Sequence, residues 1–171
     1  MPNKRLRVVV KQNITHKGVF AKKKIKQGEI ILDFKQGGGR FFSDKERNKL
    51  PEKYHHYDIQ VGDNLFFGAT NESEVDIADY INHSCNPDAG IKGALKLVAI
   101  RDIKPNEEIT FDYAMSESHT ELNMRCRCSQ PHCRKIITGD DWKIPTLQRK
   151  YHGFFSDYLQ KKINALKEKP A

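Results

Sequence analysis

The sequence predicts a mainly β fold closed by a C-terminal aromatic helix, and three observations lead there. Short runs rich in β-branched and aromatic residues recur between Gly, Pro and Asn turn signals from Leu6 to Tyr113. Helical periodicity is sustained only after Thr146, where Leu147, Tyr151, Phe154, Phe155, Tyr158, Leu159, Ile163 and Leu166 form an apolar stripe interrupted at Gly153. A chain of 171 residues suits one domain that buries roughly 70% of its unfolded surface, not two.

The elements follow in order. Leu6 to Val10 is a β-branched run, and Gly18 to Ala21 with Lys26 to Leu32 reads as strand, turn, strand, giving an opening antiparallel β unit. Gln36 to Arg40 is a glycine-rich, flexible connector that lacks the Lys-Ser/Thr of a phosphate loop. Ser43 and Glu46 form a capping box that opens a short helix, and Pro51 ends it. Tyr57 to Val61 and Asn64 to Phe67 flank Gly62-Asp63 as a hairpin, with positions 57, 59 and 61 on its buried face. Leu95 to Ile100 is a further strand, and Pro105-Asn106 turns the chain into Ile109-Thr110-Phe111, a strand that ends in Asp112-Tyr113. The final stripe is core packing against the sheet.

Thirty Lys+Arg against twenty-two Asp+Glu leave a net charge of +8, a field that favours acidic partners in a general way. The lysines are dispersed with no aromatic-interleaved basic stripe, so an ordinary solvated surface is the better reading and nucleic acid finds only weak support. Lys11 breaks the Val8-Val9-Val10 run before a secretory h-region can form, and no apolar run approaches the ~18 residues of a membrane span. The expectation is a soluble, intracellular protein without a membrane partner.

Two stretches carry chemistry. Asp79 to Asp88 packs an amide, an imidazole, a hydroxyl and a thiol at Asn82-His83-Ser84-Cys85 and stops in Asn86-Pro87, a turn signal rather than a strand core. Glu107 to Tyr113 delivers a phenol at a strand end, where clefts form. Together these resemble the paired Asn-His-Ser-Cys-x-Pro-Asn and Glu-Leu-x-Phe-Asp-Tyr motifs of SET-domain protein-lysine methyltransferases. Lys17 to Ala21 is similar to the Gly-x-Gly segment with which SET domains begin, although His16 stands at the first glycine. Asp79 and Asp88 also depart from the family, which carries arginine and asparagine there.

All four cysteines are Cys85, Cys126, Cys128 and Cys133. Cys126 and Cys128 are too close for an easy mutual bridge and nothing marks the chain as secreted, so a disulfide framework is disfavoured against a four-thiolate structural zinc site. Arg125, Arg127 and Arg134 stand nearby to ease the negative charge, and His132 is a weaker substitute ligand. The C-x-C-x4-C spacing resembles a post-SET segment, whose zinc takes its fourth thiolate from the Asn-His-Ser-Cys motif.

The resemblance, which is closest to short members of bacterial type, implies a SET fold. That fold has several short sheets, a pseudoknot-like threading of the C-terminal part, a short insert helix, a zinc-bound segment and a terminal aromatic helix. It implies a catalytic domain over 1–122 with an insert at about 40–75, then a zinc segment and helix over 123–171. The implied activity is transfer of methyl groups from S-adenosylmethionine to a lysine of a protein substrate. Tyr113 and Phe111 are the catalytic residues it implies, and Lys17, Gly18, Val19, Tyr80, Asn82, His83 and Tyr113 the cofactor contacts. His55, His56 and Tyr57 in the insert are candidates for substrate contact, and Phe111, where the family carries Phe or Tyr, implies more than one methyl per lysine. The alternatives are a degenerate SET module that binds a protein or nucleic acid without catalysis, and a zinc-stabilised structural domain.

Overall fold

The computed structural model describes residues 7–12 and 16–168; Leu6 lies outside them. The principal sheet comprises β1 (Val8–Gln12), β2 (Lys17–Ala21), β3 (Ile30–Asp33) and four later strands. A second, small sheet contains β4 (Arg40–Ser43), β5 (Asp58–Gly62) and β6 (Leu65–Gly68). The chain then returns to the principal sheet with β7 (Asn82–His83), β8 (Ala89–Lys92), β9 (Lys96–Ala99) and β10 (Glu108–Phe111). The principal sheet runs β1-β2-β10-β8-β9-β3, with β7 pairing β10 as well; the small sheet runs β4-β6-β5.

β10 lies at the middle of this arrangement because it pairs on both sides. Glu108 and Ile109 face Phe20 and Val19 of β2 in antiparallel register. Further along, Thr110 and Phe111 run parallel to Asn82 and His83 of β7, while Phe111 is also paired in parallel with Ala89 of β8. The short bridge 84–88 that joins β7 to β8 therefore straddles the exit of β10. The chain leaving β10 at Asp112 is threaded past that bridge, which is the pseudoknot-like feature of the fold.

The opening is antiparallel as expected, but through β1 and β2; β2 and β3 do not pair with each other, since β2 pairs β1 and β10 and β3 pairs β9 at the far end of the sheet. Residues 22–29 separate the two strands because Ile25 is fully buried and exchanges both backbone hydrogen bonds with Ile103, at 2.9 and 2.8 Å. A hairpin turn would leave that anchor exposed. In the Gly37-Gly38-Gly39 connector the backbone passes close to its neighbours, since a Cβ at Gly38 would lie 2.7 Å from Glu74 Cα and one at Gly39 2.9 Å from the Gly68 carbonyl carbon.

The capping box of Ser43 and Glu46 starts α1 (Asp44–Arg47), with the Ser43 amide donating to Glu46 Oε2 at 2.7 Å. In the β5–β6 hairpin Ile59 is buried, but so is Gln60, while Tyr57 and Val61 are only half-buried. The expected alternation gives way because Gln60 is satisfied internally: its Nε2 donates to Gly62 O and its Oε1 accepts from the Ser118 amide at 2.7 Å.

α2 (Pro145–Lys150) and α3 (Asp157–Glu168) divide the aromatic stripe at Gly153, whose φ of +81° few other residues adopt. Tyr151, Phe155, Leu159 and Ile163 enter the main core, each burial worth roughly 1.5–3 kcal/mol. Leu166 stays exposed. None of the described helices is long and apolar enough to cross a membrane.

Candidate active site and metal centre

The site grows from the end of β10. Asp112 is fully buried, and its carboxylate caps the 3-10 turn Tyr113–Met115 by accepting from the Ala114 amide at 3.1 Å. Both its oxygens also accept from the Arg134 guanidinium, each at 2.7 Å. The Tyr113 amide donates to His83 Nδ1 at 3.1 Å, which fixes the ring's proton on Nε2, 3.3 Å from Cys85 Sγ. Burial pulls His83 down to about 4, so the imidazole is neutral.

The Tyr113 ring is held 5.1 Å from the His83 ring and 5.0 Å from Phe111, and its hydroxyl donates to Ile81 O at 3.3 Å. Burial holds its phenol well above the usual range, so it stays a proton donor in hydrogen bonds. Beside it opens a cavity of about 1030 Å³ that brings together Lys17, Tyr80, Asn82, Phe111 and Tyr113. His55, His56 and Tyr57 from the insert line it too.

Gly18, Val19 and His83 do not line this cavity. Gly18 instead makes room for Glu108, whose Oε1 would meet a Cβ there at 2.3 Å. That oxygen accepts from Asn82 Nδ2 at 2.9 Å and lies 3.0 Å from Nε2 of His16, so Glu108 ties β2, β7 and β10 together. Asn82 Nδ2 also donates to Lys17 O at 2.8 Å, which leaves Oδ1 as the amide's acceptor for a ligand.

Glu108 stands in the motif-like stretch Glu107 to Tyr113, but sequence reasoning alone assigned it no role of its own. That reasoning also missed Glu117, His119 and the 122–125 wall of the cavity, which carry no motif. The departures at Asp79 and Asp88 have local explanations. Asp79 closes a capping box by accepting from the Asp76 amide at 2.6 Å. Asp88 accepts from the Thr110 amide at 2.9 Å; burial pushes it up to about 6, and the Arg101 guanidinium at 3.5 Å offsets part of that.

The sulfur atoms of Cys85, Cys126, Cys128 and Cys133 all lie within 4.8 Å of one another, and none is in a disulfide. A tetrahedral site with metal–sulfur bonds of about 2.3 Å has edges of about 3.8 Å, and Cys85 Sγ lies 3.9 Å from Cys126 Sγ. Amides of Arg134 and Lys135 donate to the sulfurs of Cys85 and Cys133, both at 3.4 Å. The donor set fits a closed four-thiolate site. The Arg134 guanidinium is hydrogen-bonded to Asp112 and, at 2.8 Å, to Asp141, and from there its charge still favours the thiolate form of Cys85. The three downstream cysteines are carried by the β11 (Asn123–Arg125) and β12 (Ile136–Thr138) hairpin and its connection.

A family model described as SET domain matches residues 16–114, more than half of the chain and ending just past Tyr113. The chain belongs to the SET-domain family. A variant-silencing SET domain-containing protein of Plasmodium falciparum is 31% identical over 139 residues, 73% of this chain and 5% of the relative. The histone-lysine N-methyltransferase ash1 of Drosophila melanogaster is 28% identical over 142 residues, 76% of this chain and 6% of its own length. Set2, a histone-lysine N-methyltransferase of the same fly, is 29% identical over 136 residues, again 72% against 6%. Among solved structures, Arabidopsis thaliana SUVH6 in complex with SAM has a TM-score of 0.60 over 75% of this chain and 32% of that one, a likeness of fold alone at 18% identity.

The SET domain as matched stops short of Cys126, Cys128 and Cys133, so the four-cysteine cluster is completed by sequence beyond it. Metal analysis of chain purified without chelator is expected to give about one zinc per chain. Cys128→Ser should lose the metal and melt several degrees lower. A full complement of disulfides with no metal would contradict this assignment.

Proposed function

We propose that this SET domain is an S-adenosylmethionine-dependent protein-lysine N-methyltransferase. The observation that supports it best is the placement of Tyr113, held at the end of β10 in one cavity with Lys17, Tyr80, Asn82 and Phe111. Relatives named as histone-lysine N-methyltransferases, and a neighbour solved in complex with SAM, point the same way. The aromatic walls of Tyr57, Tyr80, Phe111 and Tyr113 suit a cationic sulfonium, and Asn82 Oδ1 suits a polar cofactor group. When bound, the cofactor supplies an electrophilic methyl group.

The residues of the chain do the rest. A free lysine of pKa about 10.4 is neutral roughly once in two thousand times at pH 7, a cost of roughly 4–5 kcal/mol. Apolar walls that include Ile81, Phe67 and Phe111 lower that cost by desolvating the ammonium. The Tyr113 hydroxyl orients the amine. Lys17, Tyr80 and Asn82 hold the cofactor, with Gly18 and Val19 shaping β2 behind them and His83 fixing the backbone of Tyr113. Residues 1–122 form the catalytic part, and 123–171 supply Cys126, Cys128 and Cys133, which hold a structural zinc together with Cys85. The partner is a protein bearing the target lysine, and histones are the first to try.

Radiolabelled methyl transfer onto core histones and onto lysate tests this directly. Tyr113→Phe should keep S-adenosylhomocysteine binding while transfer falls by ~10²-fold, because only positioning in the transition state is removed. Full activity in that variant would reassign Tyr113 to packing.

Phe111 offers no hydroxyl to anchor a water beside the amine, which leaves room for a second methyl. Mass spectrometry of the product should therefore show di- or trimethylation, reduced to fewer methyls by Phe111→Tyr. A native product limited to one methyl would overturn that role.

A further inference from the structure

Beyond Tyr113 the chain turns back on itself, and the amides of Ser116 and Glu117 both donate to Tyr113 O, at 3.0 and 2.8 Å. A single turn closed by these bonds thus brings Glu117 back beside Tyr113, and both residues line the same cavity. The Glu117 side chain is only 8% exposed. Its Oε1 accepts from the Gln60 amide at 3.2 Å and from the Ser116 hydroxyl at 2.9 Å. Its Oε2 lies 3.2 Å from His119 Nδ1, a buried nitrogen whose alignment leaves it without a hydrogen-bond partner. The His119 ring itself also lines the cavity and is partly open to solvent.

The groups around Glu117 come from several elements. Asp58 of β5 is pushed up to about 6 by burial and is held by Arg47 of α1 at 2.5 Å. Arg47 is thus committed to Asp58. Tyr158 of α3 gives its hydroxyl to Ser116 O, and the Tyr113 hydroxyl is directed to Ile81 O. What remains is a buried carboxylate on the cavity wall, next to an imidazole that reaches towards solvent.

We infer that Glu117 and His119 form a proton-exit path for the substrate lysine, an inference that rests on the methyltransferase reading above. The ammonium must lose a proton before its nitrogen can be methylated. Its N–H bond breaks, the electron pair stays on nitrogen, and the proton bonds to Glu117. The Glu117 Oε2–H then gives its proton to His119 Nδ1, while the proton on Nε2 leaves to water. The carboxylate is restored and the ring is left in its other tautomer, which resets by exchange with solvent. This path changes how fast the neutral amine forms inside the cavity and leaves its equilibrium with bulk pH untouched. It matters where the ammonium dominates, and becomes dispensable where lysine enters already neutral.

The test measures methyl transfer to core histones at pH 7 and pH 9.5 for the native chain, Glu117→Gln and His119→Gln, with thermal melting and S-adenosylhomocysteine binding for each. Glu117→Gln keeps an acceptor for Gln60 and Ser116. Its transfer is expected to fall about tenfold or more at pH 7 and to come within about threefold of native at pH 9.5, with inhibitor binding unchanged. His119→Gln should show the same recovery from a smaller loss, and it carries the test should Glu117→Gln fail to fold. Equal losses at both pH values, or none at pH 7, would overturn the relay while leaving the methyltransferase reading intact. A native chain that binds no S-adenosylhomocysteine and moves no methyl would overturn both.

Discussion

The buried pair between Asp112 and Arg134 joins the strand that ends the SET domain to the segment that follows it. A carboxylate with no exposure needs full hydrogen bonding, and Asp112 obtains it from both guanidinium nitrogens of Arg134 and from the Ala114 amide. Removing one member of such a pair typically costs about 3–5 kcal/mol, because the other is left buried and uncompensated. The backbone of the same Arg134 donates to Cys85 Sγ, and Cys85 accepts from His83, which in turn holds the amide of Tyr113. The position of the phenol is thus set jointly by β10, by the 84–88 bridge over its exit, and by the cysteine hairpin.

The whole-chain charge does not describe the site. Against a net +8, the cavity is lined by Glu52, Asp58, Asp76, Asp79, Glu117 and Glu121, with Lys17, Arg47 and Arg125 as its Lys and Arg residues. The lysine-rich surface lies elsewhere. The net +8 therefore does not disfavour a basic partner at this cavity, because the local acidic field there outweighs a dispersed surface charge.

Much of the site was legible because its chemistry is concentrated in unusual residue runs. Asn82 to Cys85 read as a polar turn, not a strand, yet Asn82 and His83 form the two-residue β7 because β10 offers them a parallel partner; Asp112-Tyr113 ended a strand on a polar step, and the structure places both stretches around one strand end. The capping box at Ser43 and the break at Gly153 were legible for local reasons, one side chain and one φ angle. What escaped depends on long-range pairing. β2 takes β10 as its partner, a choice no local signal records, and the burial of Gln60 follows from the Ser118 amide, distant in sequence. Glu117 and His119 lie in a stretch without periodicity, so only the fold reveals that they share the wall of Tyr113.

That the cavity beside Tyr113 takes the methyl donor is tested most directly by calorimetric titration of S-adenosylhomocysteine into the native chain and into Asn82→Ala. One site per native chain is the expected result, weakened by about tenfold when the amide is removed. A folded native chain that takes up none, or an Asn82→Ala chain that binds as tightly as native, would contradict it.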